Sequence, residues 1–183
     1  MKFNGQKDYN HKGRLPKTGV IITNLGTPDA PEPQALRRYL KEFLSDPRVV
    51  EVPRLIWWFI LNLVIVPLRS RSSAKNYKKV WTSDGSPLLD ITLRQATALQ
   101  TKVDQEYGIN KVIVAGAMRY GNPTIKSILQ SFTKENVRNI VVLPLYPQYC
   151  AATNGSTFDA FAKELQQYRW IPEFNRCNGQ FNF

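Results

Sequence analysis

Three short apolar runs, Gly19 to Asn24, Lys111 to Ala117 and Arg138 to Leu145, punctuate this chain, and stretches of helical periodicity fill the intervals. Runs this short, flanked by turn residues, read as strands rather than helices. The third contains Ile140-Val141-Val142-Leu143, apolar without alternation. Such a strand needs cover on both faces, as in a parallel sheet. Strands alternating with helices therefore dictate an α/β fold, a parallel sheet flanked by helices and joined by right-handed crossovers.

The first helix is expected over Pro33 to Ser45, where Leu36, Tyr39, Leu40 and Phe43 share one face. Ser45-Asp46-Pro47 stops it, because proline disfavours helix at the residue before it. Helical patterns resume over Leu55 to Val66, Ser72 to Val80 and Leu88 to Tyr107. Asn122-Pro123 places a capping side chain before a proline and predicts a helix through Phe132, and another begins near Ser156. Residues 1 to 17 read as a polar tail.

With 183 residues the chain can bury one good core. Cys150 and Cys177 lie far apart with no C-x-x-C spacing, and no secretory leader opens the chain. A reducing cytoplasm is the expected home.

The net charge of +11 attracts anions. No acidic residue falls between Glu51 and Asp84, whereas Arg54, Arg69, Arg71, Lys75, Lys78 and Lys79 do. A solvated helix face and an anion-binding surface are both compatible with that run. Beside it, Leu55 to Leu68 is apolar except at Asn62 and carries Trp57-Trp58. It is shorter than the ~20 residues that span a bilayer. Either it is a core helix, or it is a hydrophobic lip that touches a membrane surface or a pocket mouth.

Ligands of open parallel sheets gather beyond the carboxyl ends of the strands. The three loops there read Asn24 to Asp29, Met118 to Pro123 and Pro144 to Ser156, with glycine or proline in each and aromatic rings in the last two. They describe a cleft for a planar, apolar, anionic ligand. Phosphate motifs are absent: neither G-x-x-x-x-G-K-[ST] nor G-x-G-x-x-G occurs. Cys150 has no histidine in the body of the chain to serve as its base, since the one histidine is His11, in the tail. Two cysteines and that histidine cannot supply a closed tetrahedral metal site. The charge comes with no nucleic-acid-reading motif, so no nucleic-acid partner is expected.

Seven segments then stand in a telling order. They are Asn24-Leu25-Gly26-Thr27-Pro28-Asp29-Ala30-Pro31, Phe43-Leu44-Ser45-Asp46-Pro47-Arg48-Val49-Val50, Trp57-Trp58, Pro67-Leu68-Arg69-Ser70, Gly85-Ser86-Pro87-Leu88, Met118-Arg119-Tyr120-Gly121 and Leu143-Pro144-Leu145-Tyr146-Pro147-Gln148-Tyr149. From Lys17 to Phe174 the chain resembles the bacterial ferrochelatases, and most of all their proteobacterial branch. The resemblance implies a lyase of heme biosynthesis that inserts ferrous iron into protoporphyrin IX to form protoheme. It also implies a Rossmann-like lobe, one of two that enclose the porphyrin, with the second largely missing here. Iron is then a substrate, and no tightly bound cofactor is expected.

Carried over by position, Arg69 meets a porphyrin propionate, as suits an always-charged, forked donor. Tyr77 and Ser86 are further pocket positions, Leu25 stands where relatives face the macrocycle, and Met118, Tyr120 and Tyr149 are cleft walls. The family's Ser-x-His motif and its later glutamate motif are missing. No catalytic residue and no metal ligand is therefore assigned. Residues 175 to 183 read as a divergent tail, and a truncated product, inactive alone, is expected. A non-catalytic porphyrin- or heme-binding protein, or a membrane-surface protein, is the alternative.

Overall fold

The computed structural model describes Phe3, Asn4, Gly13 and residues 15–177. His11 and the end of the expected divergent tail lie outside the described residues. Four parallel strands form one sheet: β1 (Lys17–Thr27), β2 (Val112–Gly121), β3 (Val137–Pro144) and β4 (Glu173–Arg176), in the spatial order β2-β1-β3-β4. The helices are α1 (Pro33–Leu44), α2 (Arg54–Ile60), α3 (Val66–Val80), α4 (Pro87–Tyr107), α5 (Ile125–Lys134) and α6 (Ser156–Leu165).

The alternation of side chains along β2 sorts the helices onto two faces. Ala117 belongs to the cluster of Ile21, Ile125, Leu129, Phe132, Ile140, Val142, Phe161 and Leu165, which joins the sheet to α5 and α6. Its neighbour Gly116 faces Thr92, Leu93 and Ala96 of α4. Tyr120, of the same parity as Gly116, packs with Leu36, Tyr39 and Ala74 from α1 and α3. Both faces are thus covered, which is why β3 reads as unbroken hydrophobicity.

Several expectations are corrected. β1 and β2 continue through Thr27 and Gly121, so the first turns of two expected loops are strand. Asn122 does not cap α5. The Met118 amide donates to the Pro123 carbonyl (2.8 Å), holding residues 122–124 against the strand end, and Thr124 caps the helix by accepting from the Ser127 amide. β4 has no counterpart in the sequence pattern; its four residues carry too little of one, and pairing with β3 creates it.

The two helices expected over Leu55 to Val80 are one rod. Leu61–Ile65 forms a π-helical turn between α2 and α3, with the Val66 amide donating to the Leu61 carbonyl five residues back. Pro67 has no N–H to give and would break a regular helix, and the wider turn just before it lets the rod continue.

Candidate functional site

In a parallel sheet of order 2-1-3-4 the connection leaving β1 runs outward to β2 and the one leaving β3 runs the opposite way to β4, so the switch point lies between β1 and β3. Here that point lies beyond Thr27 and Pro144. Buried polar atoms collect around it. Thr23 Oγ1, Thr27 Oγ1 and Asn154 Nδ2 are enclosed without a hydrogen-bond partner, a condition native interiors seldom tolerate away from functional positions.

On the α1 and α3 side, aromatic residues make the floor. Tyr39 donates to the Gly26 carbonyl (3.2 Å), Phe43 lies edge-on to Tyr120 with ring centroids 5.1 Å apart, and Leu25 and Tyr77 pack against the same cluster. Tyr77 also meets Trp81 edge to face at 6.3 Å. Burial raises the hydroxyl pKa of Tyr39, Tyr77 and Tyr120, and pushes Tyr146 up to about 12. These phenols stay neutral at physiological pH, and Tyr39 and Tyr120 act as hydrogen-bond donors within the core.

Beneath them is a charged knot. Asp46, in the loop after α1, is buried with one carboxylate oxygen accepting from Arg119 Nη2 (2.6 Å), Tyr120 Oη (2.8 Å) and Ser156 Oγ (2.5 Å). The Arg48 amide donates to its other oxygen (2.8 Å). Arg119 Nε also donates to the Ser156 carbonyl and hydroxyl, at 2.9 and 2.7 Å. Burial by itself would raise the Asp46 pKa. The bonds from Ser156, the Arg48 amide and Tyr120, together with the Arg119 charge, outweigh it and hold the carboxyl below its ordinary range.

The structure therefore gathers Leu25, Tyr77 and Tyr120 around Tyr39, and disperses the other expected site residues. Met118 and Tyr120 are 1% and 0% exposed, so they support the cleft from within the core and do not line open space as expected. Ser86 is buried at the start of α4. Arg69 is exposed on α3, and Tyr149 is exposed in the loop after β3. Asp46, Tyr39 and Tyr146 escaped sequence assignment as site residues, although two of them stand inside quoted motifs. Asp46 read as a helix stop and Tyr39 as core, and only the tertiary contact with β2 reveals more.

Exposure corrects the core-helix reading of Leu55 to Leu68. Leu55 is 74%, Leu63 67% and Leu68 69% exposed, and no residue of α2 is buried. The helical rod Arg54–Val80 is long and apolar enough to cross a membrane by length and composition. It is nonetheless docked on the lobe through Leu61, Val66, Ser70 and Ala74.

An open parallel sheet covered by helices on both faces, with an aromatic cluster at its switch point, defines a Rossmann-like lobe. The ferrochelatase family model matches residues 17–182, and the chain belongs to that family. It is 57% identical to a ferrochelatase of Alcanivorax borkumensis over 94% of this chain and 50% of the relative. For a ferrochelatase of Pseudoalteromonas atlantica the values are 57%, 94% and 48%, and for one of Marinobacter nauticus they are 52%, 100% and 49%. The chain spans about half the length of the curated relatives it matches.

Proposed function

We propose that this chain supplies the porphyrin-facing half of an enzyme that inserts ferrous iron into protoporphyrin IX, working at the cytoplasmic face of a membrane. The observation that carries the reading is the aromatic cluster at the switch point, where the half-buried Leu25 and Tyr77 lie over the buried Tyr39 and Tyr120, within a family match. A flat macrocycle would lie over Leu25 and Tyr77. Arg69 sits eight positions before Tyr77 on α3, about 12 Å away at 1.5 Å per residue, and an edge propionate would meet it there. Met118 and Tyr120 hold the strand end in place.

Metal insertion also requires removal of two pyrrole N–H protons, for which a base that titrates near neutrality is suited. The sequence has one histidine, His11, outside the aromatic floor's segments. The purified chain, given protoporphyrin IX and ferrous iron without oxygen, is expected to form protoheme no faster than a protein-free control. Turnover above that control, followed by heme absorbance, would overturn this assignment of roles.

The exposed apolar stripe from Leu55 to Leu68 supports peripheral membrane contact. Replacing Trp58 and Leu63 together by serine removes two large apolar anchors, and vesicle binding should weaken at least tenfold. Unchanged co-sedimentation of the variant would refute the contact.

A further inference from the structure

A cavity of about 420 Å³ opens between α1 and the α2–α3 rod, away from the switch-point crevice. Arg37, Arg38 and Lys41 form one wall, and Asn62, Val66 and Pro67 the other; no acidic residue lines it. Arg37 and Lys41 stand four apart on the same face of α1, where like charges repel. Arg38 has a counter-ion in Asp29 at 3.4 Å. Among the described residues, neither Arg37 nor Lys41 has a carboxylate within ion-pair reach.

The opposite wall is part of the lip itself. Asn62 is followed by Leu63 and Val64, 67% and 50% exposed, and Pro67 by the exposed Leu68. An amphipathic helix lying on a bilayer buries its apolar face ~5–10 Å into the boundary between headgroups and acyl chains. With Leu63, Val64 and Leu68 at that depth, the cavity lies within about one helical turn of them, at the level of the lipid phosphates.

We propose that this cavity is a headgroup site, which takes the phosphodiester of an anionic lipid between Arg37 and Lys41 when the apolar stripe enters the bilayer. The inference rests on the membrane contact argued above and adds to it a place, a charge and a lipid class. Arg37 offers a forked donor for phosphate oxygens and Lys41 a point charge, with Asn62 able to add a neutral hydrogen bond.

Co-sedimentation with two kinds of vesicle tests it: phosphatidylcholine alone, and phosphatidylcholine with about a quarter phosphatidylglycerol. The unaltered chain should prefer the anionic vesicles at least tenfold. Arg37→Gln with Lys41→Gln should abolish most of that preference, about fivefold per charge, and leave binding to neutral vesicles intact. Lys78→Gln with Lys79→Gln removes the same charge from α3 about 17 Å further along, beyond the screening length, and should change the preference less than threefold. All four positions are exposed, so thermal unfolding should be unaltered. Equal losses for the two pairs, or none for the cavity pair, would overturn the site. Displacement of the chain by inorganic phosphate at matched ionic strength would reassign the cavity to a free anion and also overturn it. If the chain binds neutral and anionic vesicles equally, the headgroup site fails and the membrane contact stands. If it binds neither, both fail.

Discussion

Asp46→Asn should destabilise the lobe by about 3 to 5 kcal/mol, the usual cost of leaving one partner of a buried ion pair alone. The carboxylate ties three elements together: the loop after α1, the end of β2 through Arg119 and Tyr120, and the start of α6 through Ser156. Asparagine keeps the shape but turns either a carbonyl oxygen or an amide toward those donors, and it strands the Arg119 guanidinium. Chemical denaturation of the purified chain measures the loss. Arg119→Gln should be costly too, and the double variant should cost less than the two singles added, since both remove one interaction. A loss below about 1 kcal/mol for Asp46→Asn would show the knot to be solvent-screened.

The same residue predicts a pH dependence. A carboxyl whose folded pKa lies below its ordinary value of 3.8 adds stability that is present above that value. That stability disappears as pH falls through the folded pKa. The unaltered chain should therefore lose stability below about pH 4 more steeply than Asp46→Asn, which has no proton to take up there.

Gly26→Ala should cost about 4 kcal/mol, from backbone strain and overpacking together. Gly26 has φ +108°, and a Cβ built on it would lie 1.8 Å from the Tyr120 carbonyl oxygen. That contact is with backbone, so no side-chain rotation relieves it, and β1 would have to separate from β2 at the point where they support the aromatic floor. Gly85 provides the comparison. It also has a positive φ, +98°, but nothing lies within 4 Å of its Cβ position, so Gly85→Ala should cost only about 1 to 2 kcal/mol of strain. Equal losses in the two variants would mean that the close approach of β1 and β2 does not explain Gly26.

Much of this architecture is legible in the residues themselves. The β-branched runs place three of the strands, and the i, i+3, i+4 spacing of Leu36, Tyr39, Leu40 and Phe43 places α1. β4 is not legible, because Glu-Phe-Asn-Arg has no strand pattern of its own and is ordered by Phe174 packing against the core. Pro67 reads as a break because the sequence does not announce the π turn that absorbs it. A motif brings Leu25 to the site, and the resemblance carries Tyr77 there by position although it stands outside the seven segments. They do not show that Met118 and Tyr120 turn inward, since Met118 to Gly121 reads as loop and only pairing with Asn24 to Thr27 makes it strand. Asp46 is hidden for another reason. A short polar residue before proline has a sufficient local explanation as a helix stop, and its partners lie 73 and 110 positions away.

On the function proposed above, the aromatic floor and Arg69 receive a porphyrin. Titration of the purified chain with protoporphyrin IX, read by quenching of tryptophan fluorescence, tests it most directly. Saturable binding in the micromolar range is expected, weakened roughly tenfold by Arg69→Gln through loss of a charge-assisted contact to a propionate. Absence of saturable binding, or equal affinity in the two proteins, would contradict it.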